Sequence, residues 1–146
     1  MKHTVKFAGT EEELQAILKL RYLILRAPWQ QAADTATDHL EAQSYNAYIA
    51  NENNEVLACG RLQVNEGGVA QVRFMAVLTN MQGKGLGKLI LQALEKKALE
   101  LNLNSVELQA RENAVPFYKS CGYNVVEETF KLWGIIQHYL MRKALK

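Results

Sequence analysis

Apolar and polar positions follow two different periods along this chain. The first period is alternation, in which every second side chain faces the same side of a β-strand, and it predicts about seven strands. These strands are expected over residues 4–8, 44–50, 56–64, 69–77, 105–111, 123–128 and 137–141. The fourth of them becomes apolar on both faces from Phe74 onwards. We therefore expect the far end of that strand to be buried on both sides of a sheet.

The second period places apolar residues three and four positions apart, which is typical of amphipathic helices. The first helix is predicted to begin at Thr10, which forms a capping box with the glutamate that follows it in the first turn, and to end at Pro28. A long helix is expected over residues 86–101 and a short one over 114–120. The polar, alanine-rich segment 29–41 shows no clear period, and we expect a loop or a short helix there.

The order of these elements restricts the fold. It reads strand, helix, three antiparallel strands, helix, strand, helix and two strands. Such an order predicts an α+β or mixed α/β fold in which helices flank one central sheet. The chain has 146 residues, which is enough for one domain with a sizeable core. Since no repeat or linker divides it, we expect a single domain over residues 1–146.

Composition and charge exclude several classes of partner. The 49% hydrophobic and 22% charged residues are those of an ordinary globular protein. An evenly spread net charge of +2 argues against nucleic acid. No apolar run reaches the about 18 residues of a membrane span, and no signal peptide is expected. Cys59 and Cys121 lack metal-site spacing and are expected to be reduced thiols in a cytoplasmic protein, with a reactive Cys121 as the alternative.

Residues 75–91 combine the apolar end of a strand, a polar turn, a glycine-rich loop and the first turn of a helix. Gly83, Gly85 and Gly87 stand at alternate positions, where they let the backbone approach a ligand closely. The free amides and the positive dipole end of the helix attract a phosphate. The segment therefore predicts a site for a cofactor that contains a diphosphate.

The spacing of this loop excludes two common phosphate-binding motifs. A Walker loop would require a glycine in place of Gln82 and a serine or threonine in place of Leu89. A dinucleotide fingerprint would require G-x-G-x-x-G at the start of a βαβ unit. This loop instead reads G-x-G-x-G and follows three strands that look antiparallel.

The pattern Gln/Arg-x-x-Gly-x-Gly/Ala, met by residues 82–87, resembles motif A of the GNAT (Gcn5-related N-acetyltransferase) superfamily. Downstream, the run FYKSCGY over residues 117–123 resembles motif B of the same superfamily. The runs RFMAV at 73–77 and ARENAV at 110–115 resemble a bacterial subgroup, whose members are free-standing domains or carry a thioesterase-like second half. The similarity covers nearly the whole chain. It implies a mostly antiparallel, splayed central sheet of about seven strands flanked by helices.

The resemblance also implies acetyl-CoA (coenzyme A) as co-substrate and no metal. The loop amides would bind its pyrophosphate, and the end of the preceding strand would pair with the pantetheine arm as an added strand does. The implied cofactor-binding residues are Met75, Ala76, Val77, Gln82, Gly83, Lys84, Gly85, Leu86, Gly87, Lys88, Arg111, Asn113 and Phe117. Arg111 stands where many members have asparagine. It is expected to contact a CoA phosphate or an acidic substrate, or to be a solvated arginine at a strand end.

Tyr118 matches the usual general acid of the superfamily, which protonates the thiolate that leaves CoA. A phenol with a pKa near 10 suits a thiol with a pKa near 8.5, and packing in the core is the alternative role. The strand before motif A offers Gln71 and Arg73 where many relatives have a glutamate as general base. His138 is the candidate base or substrate contact, and His39 is a second one. A structural, hydrogen-bonded histidine is the alternative.

Arg26, Arg61 and Arg73 lie where the family fold brings residues towards the acceptor. They suit an anionic acceptor, with scattered surface arginines as the other interpretation. The expected function is an acyl-CoA-dependent N-acyltransferase that moves acetyl from acetyl-CoA to a primary amine by direct attack in a ternary complex. The acceptor would be a small-molecule or protein amine, and a homodimer is compatible with the sequence. An acyl-carrier or carbon acceptor, or a non-catalytic acyl-CoA-binding module, are the alternatives.

Overall fold

A computed structural model describes residues 3–145. Within this range the chain forms a seven-stranded sheet and three α-helices. The strands are β1 (Lys6–Phe7), β2 (Tyr45–Ala50), β3 (Val56–Asn65), β4 (Val69–Val77), β5 (Ser105–Arg111), β6 (Asn124–Leu132) and β7 (Ile136–Ala144). The helices are α1 (Glu11–Arg21), α2 (Leu86–Glu100) and α3 (Val115–Ser120).

The first helix begins at the predicted cap and ends in two distorted turns. The Thr10 hydroxyl accepts a hydrogen bond from the Glu13 amide at 3.2 Å, which satisfies one free amide of the first turn. After α1 the chain continues as one π-helical turn, Tyr22–Arg26, and a 3₁₀ turn, Ala27–Trp29. The α-helix thus ends seven residues before the predicted stop at Pro28, and the helical path runs one residue past it, to Trp29.

Some predicted bounds were wrong. Only residues 6–7 of the predicted first strand are paired. Segment 29–41, expected to be a loop or a short helix, is irregular and contains short 3₁₀ turns. The last two strands are longer than predicted and form one hairpin. β6 is an edge strand whose residues are almost all exposed, so it lacks the apolar alternation that marks a half-buried strand.

The strand order is β1-β2-β3-β4-β5-β7-β6. All neighbours are antiparallel except β4 and β5, which run parallel. This arrangement confirms the expected α+β fold with a mostly antiparallel sheet. The parallel pair is central, and the long α2 connection between its strands is what a parallel crossover requires.

Each face of the sheet has its own core. On one face, here called the α2 face, the buried side of α2 packs on the strands through residues such as Ile90 and Leu94. On the other, the α1 face, Ile17 and Leu20 of α1 pack in one cluster with Phe74 of β4. The predicted apolar stripes are confirmed in both helices, because each stripe is the side that covers the sheet.

The two central strands diverge. β4 and β5 are paired only between Val69–Val72 and Ser105–Leu108. Beyond these residues β4 stays paired with β3, while β5 stays paired with β7. A gap therefore opens in the middle of the sheet, as the splayed sheet of the family implied.

Candidate active site

The gap between β4 and β5 is a cavity of about 380 Å³. Its walls come from both faces of the sheet, because Tyr118 belongs to the α2-face core and Leu25 to the α1-face core. Several predicted site residues line it, namely Met75, Arg73, Arg111, Tyr118 and His138. The sheet thus brings together side chains from β4, β5, α3 and β7 that are distant in sequence.

A bulge in β4 shapes one wall of this cavity. Phe74 and Met75 together stand opposite the single residue Gly60 of β3. Phe74 has φ +54°, a left-handed conformation that is strained for an aromatic residue. The bulge reverses the direction of the side chains, so that Val72 precedes it on the α2 face and Phe74 turns to the α1 face. The sequence contained one signal for this bulge, a glycine inside a strand pattern.

The end of β4 has a free backbone edge. The Leu78 amide donates to the Leu57 carbonyl at 2.8 Å. Because hydrogen-bonding direction alternates along an antiparallel strand, the amide and carbonyl of Val77 point away from β3 and into the gap. The Val77 carbonyl accepts a hydrogen bond there from Nε2 of Gln82, at 3.1 Å. Such an edge can pair with an extended molecule that contains amide groups.

The glycine loop is open towards solvent. Gly83 and Gly85 have φ of +78° and +84°, and no atom lies within 4 Å of the position a Cβ would take. These conformations favour glycine, and they leave the loop amides accessible. Gly85 is the N-cap of α2, so the next amides have no acceptor within the helix. Free donors, open space and a positive helix end fit the diphosphate of CoA.

Motif B holds Tyr118 in a fixed position. The Tyr123 amide donates to the Tyr118 carbonyl at 3.0 Å, and Gly122 has φ +96°. This is a Schellman end of α3, and it explains why glycine and an aromatic residue follow the helix. The Tyr118 ring makes edge contacts with Phe117 and Tyr123, with ring centroids 5.0 and 6.0 Å away. Burial raises the pKa of Tyr118, so its hydroxyl is protonated at neutral pH.

His138 faces the same cavity from β7. Its Nδ1 lies 2.8 Å from the Ile136 carbonyl, and its ring stacks on Phe130 with centroids 4.6 Å apart. Because a carbonyl can only accept, Nδ1 is the protonated nitrogen and Nε2 of the neutral ring carries a free lone pair. Burial lowers the pKa of His138, and the charge of Arg111 lowers it further against the opposing bond to Ile136.

The arginines divide into two groups. Arg61 is fully buried and paired with Asp38 at 2.8 Å, outside the cavity. Arg26 and Arg73 line the cavity. Scattered surface positions are therefore the wrong interpretation for Arg26 and Arg61. The aromatic ring of Phe74 lies between these arginines, which was not predicted. The guanidiniums of Arg61 and Arg73 lie 4.9 and 4.7 Å from its centroid.

Other predicted residues lie away from the cavity. His39 is exposed and does not line it, so the structure gives no support to this second candidate base. Asn113 is exposed in the turn before α3. Phe117 lies beside the glycine loop, because a Cβ added to Gly87 would be 3.4 Å from its ring. Among residues 3–145, no group of three or more His, Cys, Asp or Glu side chains is placed to hold a metal ion, and no helix is long and apolar enough to cross a bilayer.

Related proteins have been described. The chain is similar to the Bacillus subtilis uncharacterized N-acetyltransferase YjcF, with 29% identity over 136 residues that cover 93% of this chain and 96% of the relative. It is 30% identical over 144 residues to the uncharacterized protein YyaT of the same organism, covering 97% and 95% of the two chains.

Solved structures share the fold. A candidate N-acetyltransferase from Lactobacillus plantarum superposes with a TM-score of 0.89 over 100% of both chains, at 20% identity. An acyl-CoA N-acyltransferase from Pseudomonas aeruginosa gives 0.78 at 20% identity, covering 98% of this chain and 100% of the other. An aminoglycoside 6′-N-acetyltransferase complexed with coenzyme A gives 0.78 at 12% identity, covering 97% of each.

The family comparison spans the elements described above. The model of the acetyltransferase (GNAT) family matches residues 14–123. This match includes the bulged strand β4, the glycine loop and Tyr118. The protein is therefore an acetyltransferase, and the chain belongs to the GNAT family of acyl-CoA N-acyltransferases.

Proposed function

We propose that this protein moves an acetyl group from acetyl-CoA to a primary amine, by direct attack of the amine while both substrates are bound. The observation that carries the proposal is the gap between β4 and β5, lined by Tyr118 and His138 beside the free edge of β4. Residues 1–146 would act as one catalytic domain.

The donor would lie along the α2 face. The open amides of the loop 82–87, with Lys88 nearby, would bind the pyrophosphate of CoA. The free backbone of Val77, with its neighbours Met75 and Ala76, would hold the pantetheine arm. The thioester supplies the activated acyl group. The amide of Val77, which faces the gap, would polarise the acyl carbonyl and withdraw charge from it as the amine attacks.

Tyr118 would donate a proton to the CoA sulfur. Burial disfavours a charged thiolate, just as it disfavours a charged phenolate. The sulfur that leaves the acyl group therefore needs a proton in this cavity. The raised pKa of Tyr118 keeps that proton in place until the bond to sulfur breaks. The contacts with Phe117 and Tyr123 would hold the hydroxyl in a fixed direction.

His138 would accept the proton that the attacking amine loses. Its Nδ1–H is fixed on the Ile136 carbonyl, so the unprotonated Nε2 is the nitrogen left for the substrate. The lowered pKa of His138 keeps this nitrogen free at neutral pH.

Thiol release from acetyl-CoA across a panel of primary amines tests both roles. We expect Tyr118→Phe to lower kcat about 100-fold or more, the usual contribution of a general acid. Acetyl-CoA binding, measured by calorimetry, should stay as in the wild type. With rates corrected for the fraction of unprotonated amine, we expect the wild-type kcat/KM to fall only below pH 6.5, the ordinary histidine pKa. His138→Gln should remove this dependence with a loss of about 100-fold.

Tyr22→Phe serves as the control, because Tyr22 is 40% exposed and does not line the cavity. Unchanged turnover in Tyr118→Phe would contradict the acid role. Acetyl-CoA binding without thiol release for any amine would contradict the transfer and favour a binding module. Release with an acyl-carrier thioester alone would favour the other acyltransferase chemistry.

A further inference from the structure

Two arginines in the cavity wall bond only to backbone. Arg26 donates from Nε and Nη2 to the Thr35 carbonyl at 3.1 and 3.0 Å, and from Nη1 to the Leu25 carbonyl at 3.0 Å. Nη2 of Arg111 donates to the same Leu25 carbonyl at 3.3 Å. The two guanidiniums thus meet at one oxygen atom, and each still has N–H donors to offer.

No described side chain balances these two charges. Asp38 pairs with Arg61 and Arg73, and Glu41 pairs with Arg21 and Arg61, so neither neutralises the pair at Leu25. The residues of the 3–145 range that line the cavity include no carboxylate. Burial, and then the charge of Arg111, lowers the pKa of Arg26. Two positive charges held together in a partly buried wall repel each other, and an anion bound beside them would offset that repulsion.

An indole ring lies beside each guanidinium. The guanidinium carbon of Arg111 lies 4.5 Å from the centroid of Trp29, and that of Arg26 lies 5.3 Å from the centroid of Trp133. The two indoles contact each other, with centroids 6.1 Å apart. Neither indole lines the cavity, so both cover the guanidiniums from outside it. The remaining N–H donors of a guanidinium can bind a carboxylate or phosphate through two hydrogen bonds.

The position of this pair separates it from the diphosphate site. Leu25, whose carbonyl joins the two arginines, belongs to the α1-face core. The glycine loop begins α2, which covers the opposite face. The pair and the loop therefore belong to opposite faces of the sheet, which separates an anion bound at the pair from a pyrophosphate bound at the loop.

We propose that the acceptor is a small primary amine that also carries an oxyanion, either a carboxylate or a phosphate. This inference rests on the proposed function. Arg111 and Arg26 would bind the oxyanion on the α1 face, while the amine points towards His138. Arg111 stands directly opposite His138 on the paired strands β5 and β7, and both line the cavity with Tyr118, so an anion held at Arg111 would lie near the reacting groups. A cavity of about 380 Å³ suits a small acceptor.

Matched acceptor pairs test the inference through thiol release from acetyl-CoA. Glycine, β-alanine and γ-aminobutyrate are each compared with their carboxamides, and phosphoethanolamine with ethanolamine. Rates are corrected for the fraction of unprotonated amine. We expect kcat/KM to be about tenfold or more higher for the anionic member of at least one pair, as charged hydrogen bonds to arginine imply. Whether the carboxylate or phosphate series responds identifies the oxyanion.

Substitution of Arg111 provides the second arm. In Arg111→Gln we expect the ratio between anionic and neutral acceptors to fall about tenfold or more. Arg111→Lys keeps the positive charge but loses the paired N–H donors of the guanidinium. It should retain part of the ratio between anionic and neutral acceptors. Arg142→Gln is the control, because Arg142 is half-exposed, pairs with Glu107 and does not line the cavity. It should leave the ratio unchanged.

A binding measurement keeps this inference distinguishable from the proposed function. Propionate and inorganic phosphate, which have no amine, should raise the Tm of the CoA-bound wild type and not that of Arg111→Gln. Anion binding without turnover would support the arginine site and overturn the transfer. Turnover of neutral amines as fast as anionic ones would overturn the oxyanion inference and leave the transfer standing. Neither anion binding nor turnover would overturn both.

Discussion

Glu41 connects the segment before β2 to the buried arginines of the α1 face. Its carboxylate accepts hydrogen bonds from Arg21 at 2.6 Å, Thr37 at 2.8 Å and Asn46 at 2.9 Å, and pairs with Arg61 at 3.4 Å. Burial alone would raise its pKa. The hydrogen bond and charge of Arg21 outweigh burial and hold the pKa of Glu41 at about 2, below its ordinary 4.5. The charge of Glu41 is therefore part of the folded structure at neutral pH.

We expect Glu41→Gln to lower the free energy of unfolding by about 3–5 kcal/mol at pH 7, because it leaves the buried guanidinium of Arg21 without its counter-ion. Urea unfolding measures this loss. Since the pKa of Glu41 is lowered on folding, its contribution is complete above pH 4.5 and disappears as the pH falls to about 2. The difference between the variant and the wild type should shrink over that range.

Glu107→Gln is the matched control. Glu107 pairs with Arg142 at 3.2 Å, where the arginine side chain is 47% exposed. A pair in contact with water contributes about 0–1 kcal/mol, so this variant should unfold close to the wild type. If both variants lose the same free energy of unfolding, the burial of Glu41 does not increase its contribution to stability.

Among the elements, β4 carries both a wall of the cavity and the backbone edge that faces the gap, and its bulge lies opposite Gly60 of β3. A Cβ at Gly60 would lie 2.5 Å from Sδ of Met75 and 2.8 Å from Cγ2 of Ile90. Met75 lines the cavity, and Ile90 is fully buried in α2. The absence of a side chain at Gly60 therefore lets α2 pack directly over the bulge.

We expect Gly60→Ala to destabilise the protein by about 1–3 kcal/mol, because overpacking displaces Ile90 in a dense core. Thermal or urea unfolding measures the loss. Gly9→Ala is the comparison, since its nearest contact would be a glutamate oxygen at 3.9 Å. If both variants have the same stability, the close approach of α2 to the bulge does not restrict which residue can stand at position 60.

Local sequence predicted most elements because the long helices and the inner strands cover a core with a regular period, which the exposed edge strand β6 does not. Loop 82–87 and Tyr118 were likewise found from short motifs whose backbone roles are local. The burial of Arg61 could not be predicted, since a charged residue in a strand normally faces solvent. The burial of Arg61 depends on the carboxylates of Asp38 and Glu41, which lie in a segment whose apolar residues follow neither a helix nor a strand period. The contact between Trp29 and Trp133 is equally non-local, because it joins the 3₁₀ turn Ala27–Trp29 to the turn before β7.

At the scale of the whole molecule, the sheet separates two approaches to one cavity. The glycine loop is on the α2 face, and the arginine pair is on the α1 face. Among the described residues that line the cavity, His138 and Tyr118 are the side chains able to carry an acyl group, and the proposed function uses them as base and acid instead. Under that proposal donor and acceptor are bound at the same time.

We expect initial velocities measured against both substrates to give intersecting double-reciprocal plots, because transfer requires a ternary complex. Mass spectrometry of the protein after incubation with acetyl-CoA alone should show no added acetyl group. Parallel plots, or an acetylated protein that passes its acetyl group to an amine, would contradict direct attack.

The contact between the indoles has a practical consequence. The chain contains two tryptophans, and both lie in this contact, each beside one of the two arginines. Tryptophan emission therefore arises wholly from behind the arginine pair. The protein carries an intrinsic optical reporter that needs no label, and its signal would distinguish an acceptor arriving at the arginines from CoA arriving at the loop.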